Sequence, residues 1–356
     1  MIGPHGGDIL ATARRLGCRV DELVDLSSNL SPLGPPPDLL LHLAGHLPQI
    51  ACLPETGSET LQAAFAQAHG LPAEAVLVGS GTTEFIFALP AALGRGRTLV
   101  IGPTYSDYAL ASEWAGRQVR HWLLSSAEDF RFRPEQLLED LAPGDLVALC
   151  NPNNPTGGLV ASRELRQLAA AAPRSLFLVD ETYRPFCTGD SLLSEALPAN
   201  LLVLASFSKI YSIPGLRLGF LAGAPDLLQR LESQRRPWGV NRLAQLAGLY
   251  LLAHGRAQEE AVRAYLAQAR PALVAGLAGL PGVRPLPGRA HFVLCWLAAG
   301  QSAAWLRTML LERRVMIRDC SSFVGLDDRY FRVSAGPPAA NQALLAALAG
   351  VLAEAA

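Results

Sequence analysis

Short apolar runs alternate with amphipathic stretches through the middle of the chain, from about residue 75 to residue 222. The runs have the length of buried strands, and the stretches between them, such as Glu84–Ala92 and Ser162–Ala172, have helical spacing. Alternation of this kind predicts a mainly parallel sheet with helices on both faces. The runs are Ala75–Gly79, Thr98–Gly102, Leu146–Cys150, Leu176–Asp180, Leu201–Ser206 and Leu216–Ala222.

The pattern changes after Trp238. Two long helical patterns, Asn241–His254 and Ala257–Ala278, are followed by strand-like segments and a final helix, which predicts a smaller α+β domain. The first 40 residues are rich in Gly and Pro and too irregular to form a core. We therefore expect an N-terminal segment (1–40) that packs on the small domain and the functional site, a large domain (41–245) and a small domain (246–356). The strand-like segments are Phe292–Trp296, Val315–Ile317 and Tyr330–Ser334.

Polar clusters follow the ends of the predicted strands. In a parallel sheet these ends lie at one edge, where α/β proteins bind their ligands. The sequence therefore predicts one functional site at that edge. The clusters are Ser80–Thr83, Pro103–Tyr105, Asn151–Gly157, Asp180–Tyr183 and Ser206–Lys209.

Composition narrows the class of protein. Half of the 356 residues are hydrophobic and the net charge is −1, so a large core is available and no basic face for nucleic acid is expected. The first residues lack the pattern of a signal peptide, and no apolar run approaches the roughly 20 residues needed to span a bilayer. The six cysteines have no paired short spacing, so we expect neither a metal site nor disulfides. These features favour a cytoplasmic protein with reduced thiols.

Lys209 is the only lysine in the chain. A coding bias towards arginine also depletes lysine, so only the residues around Lys209 can indicate whether it has a function. A lysine can form an imine with an aldehyde, whereas a guanidinium cannot. Ser206, Ser208 and Arg217 suit a phosphate dianion, and Gly81-Thr82-Thr83 adds backbone N–H groups where a helix begins. An aldehyde and a phosphate together suggest pyridoxal 5′-phosphate (PLP).

PLP makes two further demands. Its ring nitrogen needs a carboxylate partner, for which Asp180 is well placed, and its phenolate oxygen needs donors, which Asn154 and Tyr183 can supply. Tyr105 offers an aromatic face for the ring. Each residue has a structural alternative: Asp180 as a helix cap or a loop salt bridge, the Asn-Pro motif as a turn, Tyr105 as core packing and Arg217 as a surface charge. Their shared position at strand ends favours the cofactor site.

With these motifs the chain resembles the fold-type I, class I/II aminotransferase superfamily over essentially its whole length. The resemblance rests on Asn-Pro-x-Asn-Pro-Thr-Gly, Asp-x-x-Tyr and Ser-x-Ser-Lys followed eight residues later by Arg. It implies a seven-stranded sheet, a homodimer with active sites at the subunit interface, and Lys209 as the residue bonded to PLP. It also implies Asp180 on the ring nitrogen, Tyr183 and Asn154 at the 3′-oxygen, and the serines, Arg217, Thr82 and Thr83 at the phosphate.

The termini resemble the branch of threonine-phosphate decarboxylases, which make the aminopropanol phosphate linker of cobalamin. The motifs are His5-Gly6-Gly7-Asp8, Asp25–Gly34 and Ile317–Phe323. The resemblance assigns Arg332 to the substrate carboxylate. A phosphorylated amino acid needs a second cationic group, for which Arg318 and His5 are candidates. Their alternatives are a structural ion pair for Arg318 and a disordered terminus for His5. The expected substrate-binding residues are His5, Gly6, Asn29, Asn154, Arg318 and Arg332.

Two other functions stay open. Histidinol-phosphate aminotransferases are near relatives, and the choice between losing carbon dioxide and losing a proton does not follow from sequence physics. A non-catalytic scaffold with this fold is the third reading. Its main support is Leu53, which stands where relatives usually have a tyrosine that reaches the partner subunit's cofactor. Ser31 and His291 stand where relatives commonly have asparagine, which bears on the substrate.

Overall fold

The computed structural model describes residues 6–94, 96–298 and 300–354. Its strands form a seven-stranded sheet, a four-stranded sheet and a two-stranded pair. They are β1 (Val24–Asp25), β2 (Val76–Gly79), β3 (Arg97–Gly102), β4 (Gln118–Leu123), β5 (Leu146–Cys150), β6 (Leu176–Asp180), β7 (Leu201–Ser206), β8 (Gly219–Ala222), β9 (Val283–Pro285), β10 (Phe292–Leu297), β11 (Val315–Met316), β12 (Arg318–Asp319) and β13 (Tyr330–Ser334).

The helices cover the large sheet and pack around the smaller one. They are α1 (Ile9–Leu16), α2 (Pro37–His46), α3 (Glu59–Ala68), α4 (Thr82–Leu93), α5 (Asp107–Trp114), α6 (Pro134–Leu137), α7 (Ser162–Ala171), α8 (Pro225–Glu232), α9 (Arg242–His254), α10 (Arg256–Ala278), α11 (Ala303–Glu312) and α12 (Pro338–Glu354).

The large sheet has the strand order β2-β8-β7-β6-β5-β3-β4, and only β8 runs antiparallel to its neighbours. The expectation of a mostly parallel, seven-stranded sheet with a smaller α+β part is confirmed. Strands β5 and β7 are buried almost throughout because helices cover both faces of the sheet. The strand ends that carry the polar clusters therefore meet at one edge.

Two strand predictions need correction. The apolar run Leu216–Ala222 becomes a strand only from Gly219, because Pro214–Leu216 form a 3₁₀ turn and Arg217 has a left-handed φ of 57°. The segment Val315–Ile317 is a strand only at Val315–Met316, where β11 pairs in parallel with β1; the prediction did not include β12, which begins at Arg318 and pairs with β13. The chain passes from one sheet to the other within four residues, too short a distance for periodicity to detect.

The apolar runs did not include β4, the edge strand that pairs with β3. Its sequence, Gln-Val-Arg-His-Trp-Leu, mixes polar and apolar residues, and all six are partly or fully exposed. An edge strand has one neighbour and needs no continuous apolar run.

The four-stranded sheet, ordered β12-β13-β10-β9, places two arginines side by side. Arg318 in β12 and Arg332 in β13 are direct cross-strand partners. The N-terminal segment reaches the same region, because β1 pairs with β11 and Ser334 N–H donates to Leu26 O at 2.9 Å. Within the described ranges, no helix is both long and apolar enough to cross a bilayer.

Candidate active site

A cavity of about 240 Å³ lies at the carboxyl edge of the large sheet, between that sheet and the arginines of the small one. Apart from His5, which lies outside the described residues, every residue that the sequence analysis assigned to the site lines this cavity. They are Gly6, Asn29, Gly81, Thr82, Thr83, Tyr105, Asn154, Asp180, Tyr183, Ser206, Ser208, Lys209, Arg217, Arg318 and Arg332.

One end of the cavity is built for an anion. Helix α4 begins at Thr82 without a side-chain cap, so its first N–H groups and its positive dipole end face the cavity. Gly81 precedes it with φ 77°, and a Cβ there would lie 2.6 Å from Arg217 Nη2. The hydroxyls of Ser206 and Ser208 also line this end. The donors suit a phosphate dianion.

Asp180 is the buried carboxylate at the end of β6. Thr182 N–H donates to its Oδ1 at 2.8 Å, and Tyr108 Oη donates to its Oδ2 at 2.7 Å. Burial raises the pKa of Asp180, while both of these bonds act in the opposite direction. A cation beside the carboxylate would offset the cost of burying it. The protonated ring nitrogen of PLP is such a cation.

Lys209 lies directly after β7, and its Nζ donates to Ser28 O at 3.4 Å. Burial lowers the pKa of Lys209 to about 8, and the positive charges of Arg332 and Arg217 act in the same direction. A buried amine with a lowered pKa is partly neutral near physiological pH, the form that attacks an aldehyde. The amine, the carboxylate and the anion cradle thus fit PLP.

The pH dependence of cofactor addition tests this state of Lys209. With a pKa of about 8, the neutral fraction is about one-tenth at pH 7 and about nine-tenths at pH 9. We therefore expect the rate of PLP addition to the apoenzyme, followed by stopped-flow absorbance, to rise with pH through a midpoint near 8 and to level off above about pH 9. A midpoint near the ordinary lysine value of 10.5 would contradict the assignment.

Asn29 and Tyr183 form a pair on the side of the cavity nearest β13. Asn29 Nδ2 donates to Tyr183 Oη at 3.3 Å, and Ser334 Oγ donates to Asn29 Oδ1 at 2.8 Å. Burial raises the pKa of Tyr183 to about 12, although the nearby Arg332 lowers it. Tyr183 therefore keeps its proton and can donate a hydrogen bond to a cofactor oxygen.

The asparagines of the Asn-Pro-x-Asn-Pro motif have different roles. Asn151 Nδ2 donates to Val160 O, and Asn151 Oδ1 accepts from Val160 N–H. Asn153 donates to Pro103 O at 2.8 Å. These two asparagines therefore stabilise the loop. The turn interpretation is thus right for them. Asn154 differs, because its Oδ1 accepts from Arg332 Nη1 and its side chain lines the cavity.

Arg332 is buried between the two sheets. Besides its bond to Asn154, its Nη2 donates to Ser27 O at 2.6 Å, and the guanidinium lies 5.3 Å from the Phe292 ring. Its Nε is buried and has no partner among the described residues. A buried guanidinium with an unused donor, without a carboxylate bonded to it, suits an anionic group of a ligand.

Arg318 lies next to Arg332 and is half-buried. Its Nη2 donates to Ser322 Oγ at 2.9 Å, and its guanidinium lies 5.3 Å from the Phe323 ring. Within the described ranges no carboxylate lies at ion-pair distance, and Asp319 instead accepts from Ser321 N–H. The alternative of a structural ion pair with Asp319 is therefore wrong. Arg318 remains available for a second anion.

Sequence reasoning missed Tyr108, the donor to Asp180. It lies in the first turn of α5, whereas Tyr105 precedes that helix. Its closeness in sequence to the candidate Tyr105 was the available signal. Tyr105 itself donates to Asp107 Oδ2 at 2.6 Å and meets Tyr108 edge to face at 5.8 Å. Burial raises the pKa of Tyr108, so it stays a donor.

Tyr108→Phe tests the support of Asp180. Removing a hydrogen bond to a charged group costs about 1.5–3 kcal/mol, so we expect PLP to bind about tenfold or more weakly. The measurement is titration of apoenzyme with PLP. Tyr250→Phe is the matched control, because that ring packs between His42 and His254 outside the cavity. Equal affinity for Tyr108→Phe and wild type would show that Tyr108 is not needed.

Leu53 and His291, two residues that differ from those expected in relatives, lie outside the cavity lining. Leu53 is 76% exposed, and it does not line the cavity within this chain. His291 is buried and stacks on Phe186 at 3.7 Å, one layer behind Tyr183. Burial lowers the pKa of His291 to about 3, so it is neutral at physiological pH.

Comparisons with known proteins agree on one family. The model for "Aminotransferase class I and II" matches residues 21–348. The chain is 37% identical to threonine-phosphate decarboxylase of Salmonella typhimurium, covering 98% of this chain and 96% of that one. It is 32% identical to histidinol-phosphate aminotransferase of Desulfitobacterium hafniense, covering 94% and 93%. L-threonine-O-3-phosphate decarboxylase from Porphyromonas gingivalis has a similar structure, with TM-score 0.82, 29% identity and 92% and 99% coverage.

Proposed function

Because the chain belongs to the aminotransferase class I and II family, whose cofactor is PLP, we propose that it is a carbon–carbon lyase acting on L-threonine O-3-phosphate. The products are (R)-1-aminopropan-2-yl phosphate, for the cobalamin nucleotide loop, and carbon dioxide. One observation carries the proposal: Arg332 and Arg318 are cross-strand partners that line one cavity, without carboxylate partners in the described chain. Two adjacent cationic groups suit a substrate with a carboxylate and a phosphate.

Each proposed residue has a distinct task. PLP, when bound, supplies the electron sink that makes the bonds to the substrate α-carbon labile. Asp180 holds the ring nitrogen, and Arg332 orients the carboxylate that leaves as carbon dioxide. The lost carboxylate must be replaced by a proton at the α-carbon. Lys209 Nζ exchanges a proton near neutral pH because its pKa is about 8, so we propose it as the donor.

The aminotransferase alternative has its own support. The similarity to the Desulfitobacterium hafniense protein spans most of both chains. The same cavity suits the phosphate of histidinol phosphate, and Arg332 suits the carboxylate of a glutamate-type partner. The non-catalytic reading is weaker, because the cavity contains the amine, the carboxylate and the anion-binding donors that PLP needs.

Product analysis separates these functions. Purified holoenzyme is incubated separately with threonine phosphate and with histidinol phosphate, each with and without 2-oxoglutarate, and the products are identified by mass. We expect carbon dioxide and aminopropanol phosphate from threonine phosphate without 2-oxoglutarate. Strict dependence on 2-oxoglutarate would favour the aminotransferase, and no turnover of either substrate would favour the scaffold.

We also propose a cytoplasmic homodimer with its active sites at the subunit interface. All six cysteines are unpaired, as suits a reducing compartment. The part of the chain around α2 exposes several large apolar side chains, the kind of patch that marks a protein interface. They are Leu40, Leu41, Leu47, Ile50 and Leu53. The three-part division at residues 40 and 245 stays a proposal, with its second boundary inside α9.

Leu41→Glu tests the dimer. This side chain is 71% exposed, so a charge there leaves the core intact but must be desolvated in an apolar interface. We expect wild type to sediment as a dimer and the variant to shift towards monomer. Arg256→Glu, on an exposed helix side chain, is the control. A monomeric wild type, or a variant that stays fully dimeric, would contradict the proposed interface.

A further inference from the structure

Gly6 lines the cavity, and Gly7 follows it; these two residues form a short segment that begins the described chain. A Cβ on Gly6 would lie 2.7 Å from Ser27 O and 3.4 Å from Arg318 Cδ. Gly7 has φ 84°, a conformation that side chains disfavour. The first contact is with backbone, which cannot move aside. The Gly-Gly pair therefore lets this segment lie directly against Ser27 and beside Arg318.

Ser27 holds that segment with its side chain. Ser27 Oγ accepts from Gly7 N–H at 3.1 Å and donates to Asp25 Oδ1 at 2.6 Å. Asp25 Oδ1 also accepts from Ser27 N–H at 2.8 Å, so the carboxylate fixes the orientation of the serine. Ser27 is only 2% exposed, which makes this a buried, ordered junction.

The same residue holds Arg332 with its backbone. Arg332 Nη2 donates to Ser27 O at 2.6 Å, so one residue contacts both the N-terminal segment and the arginine proposed for the carboxylate. The side chain and the carbonyl of Ser27 carry these two contacts separately. A change of the side chain can therefore release the segment while it leaves the backbone contact to Arg332 available.

We propose that Ser27 is a positioning residue that ties Gly6 and Gly7 to the Arg332 side of the cavity and so keeps Gly6 beside Arg318. This inference deepens the proposed function and rests on it for the identity of the substrate. Gly6 and Arg318 both line the cavity, so the backbone at Gly6 shapes the space in which a phosphate would meet that guanidinium. Ser27 thereby favours substrates that carry the side-chain phosphate.

Ser27→Ala in the holoenzyme tests the link by two readouts. The first is hydrogen exchange of the Gly7 amide, which loses its acceptor; we expect exchange about tenfold faster. The second is selectivity, the ratio of kcat/KM for threonine phosphate to that for threonine. We expect this ratio to fall about tenfold, mainly through KM for the phosphorylated substrate, with the PLP absorbance unchanged.

Ser321→Ala is the matched control, because that exposed serine lies near Arg318 but does not line the cavity. Unchanged exchange in Ser27→Ala, or faster exchange with unchanged selectivity, would overturn the inference. If wild type does not turn over threonine phosphate, the proposed function fails separately. The exchange readout then still decides whether Ser27 holds the segment.

Discussion

Lys209→Ala is expected to lower kcat/KM by about a thousandfold or more and to abolish the visible absorbance of lysine-bound PLP. The expected loss is large because one side chain supplies both the covalent attachment and the proposed proton, and residues that act this way carry most of the rate. The side chain is half-buried three residues beyond the end of β7, and its one side-chain hydrogen bond within the described residues is to Ser28 O. Truncation should therefore leave the fold intact, which far-UV circular dichroism checks.

Two controls distinguish the loss of imine formation from the loss of the positive charge at position 209. Lys209→Arg keeps a positive charge but cannot form an imine, because guanidinium does not deprotonate in proteins. It should be as inactive as the alanine variant. Small primary amines should partly restore activity to Lys209→Ala, which has space for them, but not to Lys209→Arg. Near-normal turnover by either variant without added amine would contradict the role of Lys209.

Asp180→Asn is expected to lower kcat/KM by about 30-fold or more. Removing one partner of a buried, hydrogen-bonded charge pair costs about 2–5 kcal/mol, and asparagine lacks the charge that keeps the ring nitrogen protonated. Asparagine is close in shape to aspartate and can still accept from Thr182 N–H, as Asp180 Oδ1 does at 2.8 Å. The loss should therefore report charge more than packing. Steady-state kinetics measure the loss of activity, and PLP titration measures the loss of cofactor affinity.

Combining Asp180→Asn with Tyr108→Phe gives a sharper test. Tyr108 Oη donates to Asp180 Oδ2, so their effects on the cofactor should be coupled. Mutations in one hydrogen-bond network are not additive, and the double variant should lose less than the sum of the single losses. Full additivity would mean that Tyr108 acts independently of Asp180. Wild-type activity in Asp180→Asn would contradict the proposed role of the Asp180 carboxylate as the partner of the ring nitrogen.

The sequence predicted the large sheet well because its central strands are continuous apolar runs. Leu146–Cys150, Leu176–Asp180 and Leu201–Ser206 match the observed strands residue for residue. The position of the candidate site could also be predicted, because the polar residues that follow each strand lie at one edge of the sheet. Strand β4 was missed because exposure on an edge leaves no apolar run, and β12 was missed because it is only two residues long and both are polar.

Parts of the site lie beyond what a sequence pattern can indicate. Ser27 and Arg332 are 305 residues apart, and their contact depends on how β1 and β13 pack in space. The link between Gly7 and Ser27 depends on a backbone conformation with positive φ. Local periodicity contains no information about such long-range contacts. Tyr108 is close in sequence to the candidate Tyr105, but its bond to Asp180, 72 residues away, depends on the packing of α5 against the sheet.

The central claim is that Lys209 bonds the cofactor aldehyde, and borohydride reduction of the holoenzyme tests it most directly. Reduction makes the bond to PLP permanent, and Lys209 is the only lysine in the chain. We predict that intact-mass measurement shows one added pyridoxyl phosphate per chain, that peptide mapping places it on Lys209, and that Lys209→Ala acquires none. A label absent from wild type, or retained in Lys209→Ala, would contradict the account.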